Sequence, residues 1–169
     1  MHYGKIKNLD IANGPGCRVS LFVSGCRNRC EGCFQPETWS FTYGQEFTHA
    51  TLLGLLKLLE NPHIDGLSIL GGDPFEPENR GKVLDICKAV RKKFGNSKTI
   101  WIWTGYYFED LVDYPVLNYA DVLVDGPFIN DLKDLRLFYR GSSNQRVIDI
   151  PKSMERGYAV RWQGKQEWR

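Results

Sequence analysis

The stretch Thr99 to Thr104 constrains the fold of this chain more than any other, because Ile100, Trp101, Ile102 and Trp103 stand in a row with no polar residue among them. So short and apolar a run has no solvent-facing side, and it reads as a strand buried on both faces, as in a parallel sheet covered by helices. Arg18 to Ser24, Gly66 to Leu70, Asp121 to Val124 and Gln145 to Ile150 read as further strands. Between them lie helical patterns. Thr48 is placed to cap a helix whose Leu52, Leu53, Leu55, Leu56, Leu58 and Leu59 form a broad apolar face until Asn61-Pro62 stops it. From Pro77 to Phe94, Val83, Ile86, Cys87, Val90 and Phe94 recur at helical spacing, and Gly95-Asn96 closes the run. Phe108 to Val112 reads as a short helix. Strands alternating with helices imply an α/β fold of parallel βα units. A closed eight-fold barrel takes about 250 residues, so 169 residues build at most a partial, incomplete TIM-like barrel.

The expectation is one domain over residues 1–169, since no repeat, linker or charge block divides the chain. With 42% hydrophobic and 25% charged residues, the composition is that of a soluble globular protein. Its 22 basic and 20 acidic side chains leave a formal charge of only +2, which argues against a nucleic-acid binder working by phosphate neutralisation. No apolar run approaches the roughly 20 residues needed to span a bilayer. The first residues, Met1-His-Tyr-Gly-Lys-Ile-Lys7, lack the apolar centre of a secretory signal, so the expected compartment is the cytoplasm, where thiols stay reduced.

Three of the five cysteines are crowded. Cys26, Cys30 and Cys33 fall within eight residues, in the run Ser24-Gly-Cys-Arg-Asn-Arg-Cys-Glu-Gly-Cys-Phe34, while Cys17 and Cys87 stand apart. In a reducing compartment such a cluster points to a metal or redox site before disulfides. Structural zinc takes four protein ligands, and the nearest histidine, His49, begins a helix, where a cap or surface position accounts for it. A thioredoxin-like Cys30-Glu-Gly-Cys33 dithiol leaves Cys26 without a task. An iron–sulfur cube uses one ligand per iron, so three thiols leave one iron open for chemistry. Cys87 lies on the apolar face of a helix and reads as a small buried hydrophobe, and Cys17 is assigned no ligand role. Arg27 and Arg29 flank Cys30, either raising the potential of a cluster or standing solvated.

Each candidate strand runs directly into glycine-rich or polar chemistry: Gly25 with the cysteines, Gly71-Gly72-Asp73, Thr104-Gly105-Tyr106 and Asp125-Gly126-Pro127. Ligands of parallel α/β folds bind beyond the carboxyl ends of the strands, so that end is the expected functional face. Gly71 and Gly72 have no side chain to obstruct a ligand. Asp73 is free to accept a hydrogen bond from one, or to cap the helix behind Pro74.

The spacing of three residues between Cys26 and Cys30 and two between Cys30 and Cys33, directly after a first strand, resembles the cluster loop of the radical S-adenosylmethionine enzymes. One departure is that Gly32 stands where much of that superfamily has an aromatic residue, with Phe34 just after the third cysteine. Asn13-Gly-Pro-Gly16, the cysteine loop, Gly71-Gly-Asp-Pro74, Trp101-Ile-Trp-Thr-Gly-Tyr106, Val122-Leu-Val-Asp-Gly126 and Gly141-Ser-Ser-Asn-Gln145 follow in order. Together they resemble the activating proteins of anaerobic (class III) ribonucleoside-triphosphate reductase, a family of glycyl radical enzyme activases, over almost all of residues 3–149. The tail from Pro151, with Trp162 and Trp168, has no counterpart in that resemblance and reads as an extension or a packing strand.

The resemblance implies a partial barrel of the radical S-adenosylmethionine type, with a [4Fe-4S] cluster on Cys26, Cys30 and Cys33 and S-adenosylmethionine on the open iron. It implies cofactor contacts at Gly71, Gly72 and Asp73, the last meeting the methionine ammonium, and at Phe34, with no catalytic side chain beyond the cluster ligands. Asp125, ending a buried strand at the active face, is a candidate to contact the ribose or the target peptide, and Thr104 and Asn144 are cofactor-binding candidates of the same kind. Asp125 has a strand-end turn as its plainer reading, and Thr104 and Asn144 have local backbone bonding as theirs. The implied reaction is reductive cleavage of the cofactor, the 5′-deoxyadenosyl radical taking hydrogen from a glycine. That glycine lies in a C-terminal loop of the reductase large subunit, and the electron comes from a donor such as reduced flavodoxin. Two other readings stand beside this one: an activase of another glycyl radical enzyme such as pyruvate formate-lyase, and a non-catalytic metal-stabilised binding module.

Overall fold

In the structure, a computed structural model that describes residues 1–164, the chain lays down β1 (His2–Asp10), β2 (Arg18–Val23), β3 (Gln45–Glu46), α1 (His49–Leu59) and β4 (Gly66–Gly71). It continues through α2 (Pro77–Phe94), β5 (Thr99–Trp103), β6 (Val122–Asp125), β7 (Arg146–Asp149) and α3 (Ile150–Arg156). The strands form one open sheet in the order β3-β1-β2-β4-β5-β6-β7.

Strands β2, β4, β5 and β6 are parallel, as expected of βα units. Both edges depart from that expectation: β1 runs antiparallel to β2 and to β3, and β7 runs antiparallel to β6. The fold is therefore mixed α/β, and its sheet does not close. At the β1 edge the connection explains it: a parallel return needs a crossover of about a dozen residues or more, and only seven residues join β1 to β2. The 126–145 segment before β7 is long enough for one, but it holds only the 3-10 turn Asn130–Leu132 and brings the chain back antiparallel. β1 carried no readable alternation because Lys5 and Lys7 sit on it and its pairing with β2 is irregular at two places.

The helices match their sequence signals closely. Thr48 Oγ1 accepts from Thr51 N–H at 3.2 Å while Thr51 Oγ1 accepts from Thr48 N–H at 3.3 Å, a reciprocal cap for α1. Pro77 opens α2, and Gly95, at φ +55°, ends it. The expected helix at 108–112 is a 3-10 turn, Phe108–Asp110.

Side chains alternate strictly across the parallel strands. Val19, Leu21, Val23, Leu67, Ile69, Ile100, Ile102, Leu123 and Ile148 face α1 and α2 in the main core. Trp101, Val122, Val124 and Val147 face the other way, into a second cluster with Tyr139 and Trp162. So the run that reads as buried on both sides is buried on both, but helices cover only one. On the other face the Trp101 ring meets Tyr139 at 5.2 Å and Trp162 at 4.9 Å, both edge-on. The tail thus packs on the sheet: Trp162 N–H donates to Val147 O at 2.9 Å, and Arg161 bridges to Ile148. Trp168 lies outside the described residues.

Below Trp101 the same face holds a buried cation. Arg18 donates to Ser68 Oγ at 2.7 Å, Thr99 Oγ1 at 2.9 Å and Leu67 O at 2.8 Å, with its guanidinium 5.6 Å from the Trp101 ring. This lashes β2 to β4 and β5 at their amino ends and fills that end of the face. The carboxyl ends are left for a cavity. Among the described residues no helix is long and apolar enough to cross a membrane.

Candidate functional site

At the carboxyl ends of β2, β4, β5 and β6 lies a cavity of about 510 Å³. Phe22, Leu70 and Trp103 form its base, coming from the strand face that also carries Arg18, Ser68 and Trp101. Cys26, Cys30 and Cys33 all line it, together with Asn28, Phe34, Gly71, Gly72, Asp73, Thr104, Gly105, Phe128 and Arg140. The three thiols that the spacing groups are therefore brought together, while Cys17 and Cys87 lie elsewhere, Cys87 fully buried in the main core.

The cysteine loop is held at its root. Gly25 N–H donates to Thr38 O at 2.7 Å and Cys26 N–H to Trp39 O at 3.2 Å, against the 3-10 turn Pro36–Trp39. Burial pushes the Cys26 thiol up to about 11 even though the amide N–H groups of Asn28 and Arg29 donate to its sulfur. Burial also raises Cys30, whose sulfur accepts from the Phe128 amide. Burial makes a thiol resist ionisation, whereas a bound metal holds the thiolate outright. Amide donors aimed at sulfur are what tunes a cluster's potential. Among the described residues no three His, Cys, Asp or Glu side chains converge as around a single ion, and a cube instead takes its thiolates one to each of three irons. Cys26, Cys30 and Cys33 have the donor chemistry that such a cluster takes, and they share the lining of one cavity.

The double glycine lines the cavity and also has a close backbone neighbour. Gly71 sits at φ +106°, and a side chain on Gly72 would place its Cβ 2.5 Å from Gly25 O. What approaches closely is the backbone at the root of the cysteine loop, sealed by Gly72 N–H to Val23 O at 2.7 Å and Asp73 N–H to Gly25 O at 2.8 Å. Asp73 lines the cavity but is only 1% exposed. Burial pushes its carboxyl up to about 6, against the hydrogen bonds it receives from Gly105, Phe75 and Thr104. Thr104 also lines the cavity, and its hydroxyl is committed to Asp73 at 2.8 Å.

Phe34 forms a wall. Its ring lies 5.2 Å from that of Phe128, Lys133 Nζ stands 4.9 Å above it, and a Cβ on Gly141 would come within 2.9 Å of it. Asp125 and Asn144 are not on the lining. Asp125 is buried and accepts from Arg146 Nε at 2.9 Å and Phe108 N–H at 2.8 Å. Asn144 Nδ2 donates to Pro127 O at 2.7 Å, and its Oδ1 is buried without a partner. His49 is exposed at the start of α1. Arg27, read as tuning a cluster or standing solvated, keeps an exposed side chain, which pairs with Glu76 and Glu78 and lies 4.4 Å over the Phe41 ring.

Sequence reasoning missed Asn28, Glu76, Phe128 and Arg140. Asn28 had a signal, its place between two cysteines. Phe128 and Arg140 come from the irregular 126–145 segment, whose path no local pattern reveals.

A family model described as "4Fe-4S single cluster domain" matches residues 12–148. The chain is 44% identical over 147 residues to the anaerobic ribonucleoside-triphosphate reductase-activating protein of Enterobacteria phage T4, covering 87% of this chain and 93% of that one. To the protein of the same name from Escherichia coli K12 it is 42% identical over 151 residues, covering 87% and 97%. To that of Haemophilus influenzae the figure is 38% over 151 residues, with the same coverage. With a model matched over more than half its length, and relatives this similar across nearly their whole length, the chain belongs to the family of anaerobic ribonucleoside-triphosphate reductase-activating proteins and carries its 4Fe-4S domain.

Proposed function

We propose that the chain activates an anaerobic ribonucleoside-triphosphate reductase through radical chemistry on S-adenosylmethionine. The observation that carries this reading is the gathering of Cys26, Cys30 and Cys33 on one open cavity at the carboxyl ends of four parallel strands. The names of its relatives supply the reductase as partner. In this reading the three thiolates hold three irons of a [4Fe-4S] cluster, and S-adenosylmethionine takes the fourth. When bound, the cluster supplies one electron that cleaves S-adenosylmethionine to methionine and a 5′-deoxyadenosyl radical, which removes a hydrogen atom from a glycine of the reductase large subunit.

The chain's own part is position and exclusion of water. Gly71, Gly72, Asp73 and Thr104 bound the cofactor's space on the β4–β5 side, and Phe34 with Phe128 bounds it on the loop side. Asp125 and Asn144 act behind that lining, fixing the 126–145 segment through Arg146 and Pro127. We read residues 1–169 as one domain and the open sheet as an incomplete barrel, whose missing wall is supplied by the partner's glycine-bearing C-terminal loop. Enclosure by the partner keeps a reactive radical from other hydrogen donors. The need for reduced thiols and a strong reductant fits the cytoplasm and a donor such as reduced flavodoxin.

The test is anaerobic. The iron-loaded chain, a reductant, S-adenosylmethionine and the reductase large subunit are mixed, and a glycyl radical is sought by electron paramagnetic resonance. A doublet that disappears when the glycine is changed to alanine supports the reading. No radical from a chain with its full iron content overturns it, and a radical on pyruvate formate-lyase instead would move the assignment to that class of activase.

A further inference from the structure

We infer that the turn from Asp73 to Glu76 is a clamp for the cysteine loop, and that Asp73 is a positioning residue and not a ligand of the cofactor's ammonium group. The inference rests on the cluster reading above. A carboxylate offers about four lone-pair sites, and those of Asp73 are taken by protein donors. Oδ1 accepts from Thr104 Oγ1 at 2.8 Å and Phe75 N–H at 3.0 Å, and Oδ2 from Gly105 N–H at 2.9 Å and Asn28 Nδ2 at 3.3 Å. Asn28 belongs to the loop between the first two cysteines. Its amide occupies the space a side chain on residue 105 would need, so Gly105 is the residue that admits it.

Three residues along the same turn, Glu76 is equally buried and grips the neighbouring loop residue. Its Oε1 accepts Arg27 N–H at 2.7 Å, and its Oε2 pairs with Arg27 Nη1. Asn79, on the first turn of α2, donates to Ser24 O at 2.9 Å and Asp73 O at 2.9 Å. Two consecutive loop residues, Arg27 and Asn28, and the loop's root are thus fixed from one side by a single turn. Three thiols that must meet three corners of a rigid cube gain from such ordering beforehand, because less freedom is lost on loading. An ammonium reaching Asp73 would have to displace Asn28, whose bond is the longest among those of its four donors, and with it one anchor of the loop.

The experiment compares Asn28→Ala, Asp73→Asn and the double variant, each loaded anaerobically with iron and sulfide. Iron per chain, the paramagnetic resonance spectrum of the reduced cluster without S-adenosylmethionine, and S-adenosylmethionine affinity are measured. The clamp predicts that both single variants change the cofactor-free spectrum and weaken affinity about tenfold. The double variant is then no worse than the weaker single one, because both break the same contact. Additive effects overturn the inference. So does an Asn28→Ala chain with wild-type spectrum and affinity beside an Asp73→Asn chain that has lost affinity, the pattern of a direct ammonium contact. Asn28 is exposed, so its substitution decides the matter even where Asp73→Asn proves unstable. A wild-type chain that takes up no cluster overturns the reading beneath, a result these variants do not mimic.

Discussion

Replacing Gly72 by alanine isolates the contact on which the site is built. Gly72 carries no positive φ, so backbone strain does not enter, but an added Cβ stands 2.5 Å from Gly25 O and 3.0 Å from Gly25 C and N. Those are backbone atoms at the root of the cysteine loop and cannot rotate aside. Overpacking of this kind costs about 1–3 kcal/mol. If the strands part to relieve it, the bonds from Gly72 N–H to Val23 O and from Asp73 N–H to Gly25 O lengthen as well, each carrying roughly 0.5–1.5 kcal/mol. The expected loss is about 2–4 kcal/mol, a large part of the roughly 5–15 kcal/mol of an ordinary domain. Gly54 in α1 and Gly81 in α2 are the controls, since a Cβ there meets nothing within 4 Å. Alanine at either position stabilises its helix by about 0.5–1 kcal/mol. Urea unfolding of the cluster-free chain in anaerobic reducing buffer reads all three. A Gly72→Ala midpoint at or above that of wild type, with unchanged slope, would refute the close approach and the argument that the double glycine serves the loop.

Cys26→Ala, Cys30→Ala and Cys33→Ala are each expected to lose the bound iron, while Cys17→Ala and Cys87→Ala keep it, as iron analysis and visible absorption will report. Complete burial pushes the Cys87 thiol up to about 12, so iodoacetamide at pH 8 should label the loop thiols of the folded, cluster-free chain at least about tenfold faster than Cys87, by mass spectrometry. Burial raises Asp10, but Lys7, Ser20, Asn13 and the Ala12 amide together outweigh it and hold the carboxyl at about 2. A carboxylate held that low contributes stability that is full above its ordinary pKa of about 4 and lost as pH falls toward 2. The Asp10→Asn deficit should accordingly be on the order of 2 kcal/mol at pH 6 and vanish near pH 2, with equal deficits at both pH values refuting the assignment. Asp125→Asn should lower stability by about 3 kcal/mol through the loss of a buried ion-pair partner yet leave iron uptake intact, since Asp125 is off the cavity lining.

The sequence by itself determined what depends on near neighbours along the chain. The caps and faces of α1 and α2, the places of the four parallel strands and the grouping of Cys26, Cys30 and Cys33 are all set within a turn or a loop's length. The family was legible for the same reason, since its motifs are short runs that lie on or beside the strands. Tertiary structure alone decided what depends on distant partners. Both edges run antiparallel, a pairing set by which strand each edge meets and not by any local pattern. The second face of Trp101 is covered by Tyr139 and by a tail residue sixty-one positions on. Gly71 and Gly72 read as leaving room for a ligand, and that Gly25 also packs against Gly72 is a contact between loops that no local pattern announces. The acids show the limit most sharply. A carboxylate's role is set by which donors reach it, and those of Asp73 come from Asn28, forty-five residues before, and Thr104, thirty-one after. Asp125 is drawn off the cavity by Arg146, twenty-one residues on. No local pattern encodes those meetings, because they are products of how the strands stack.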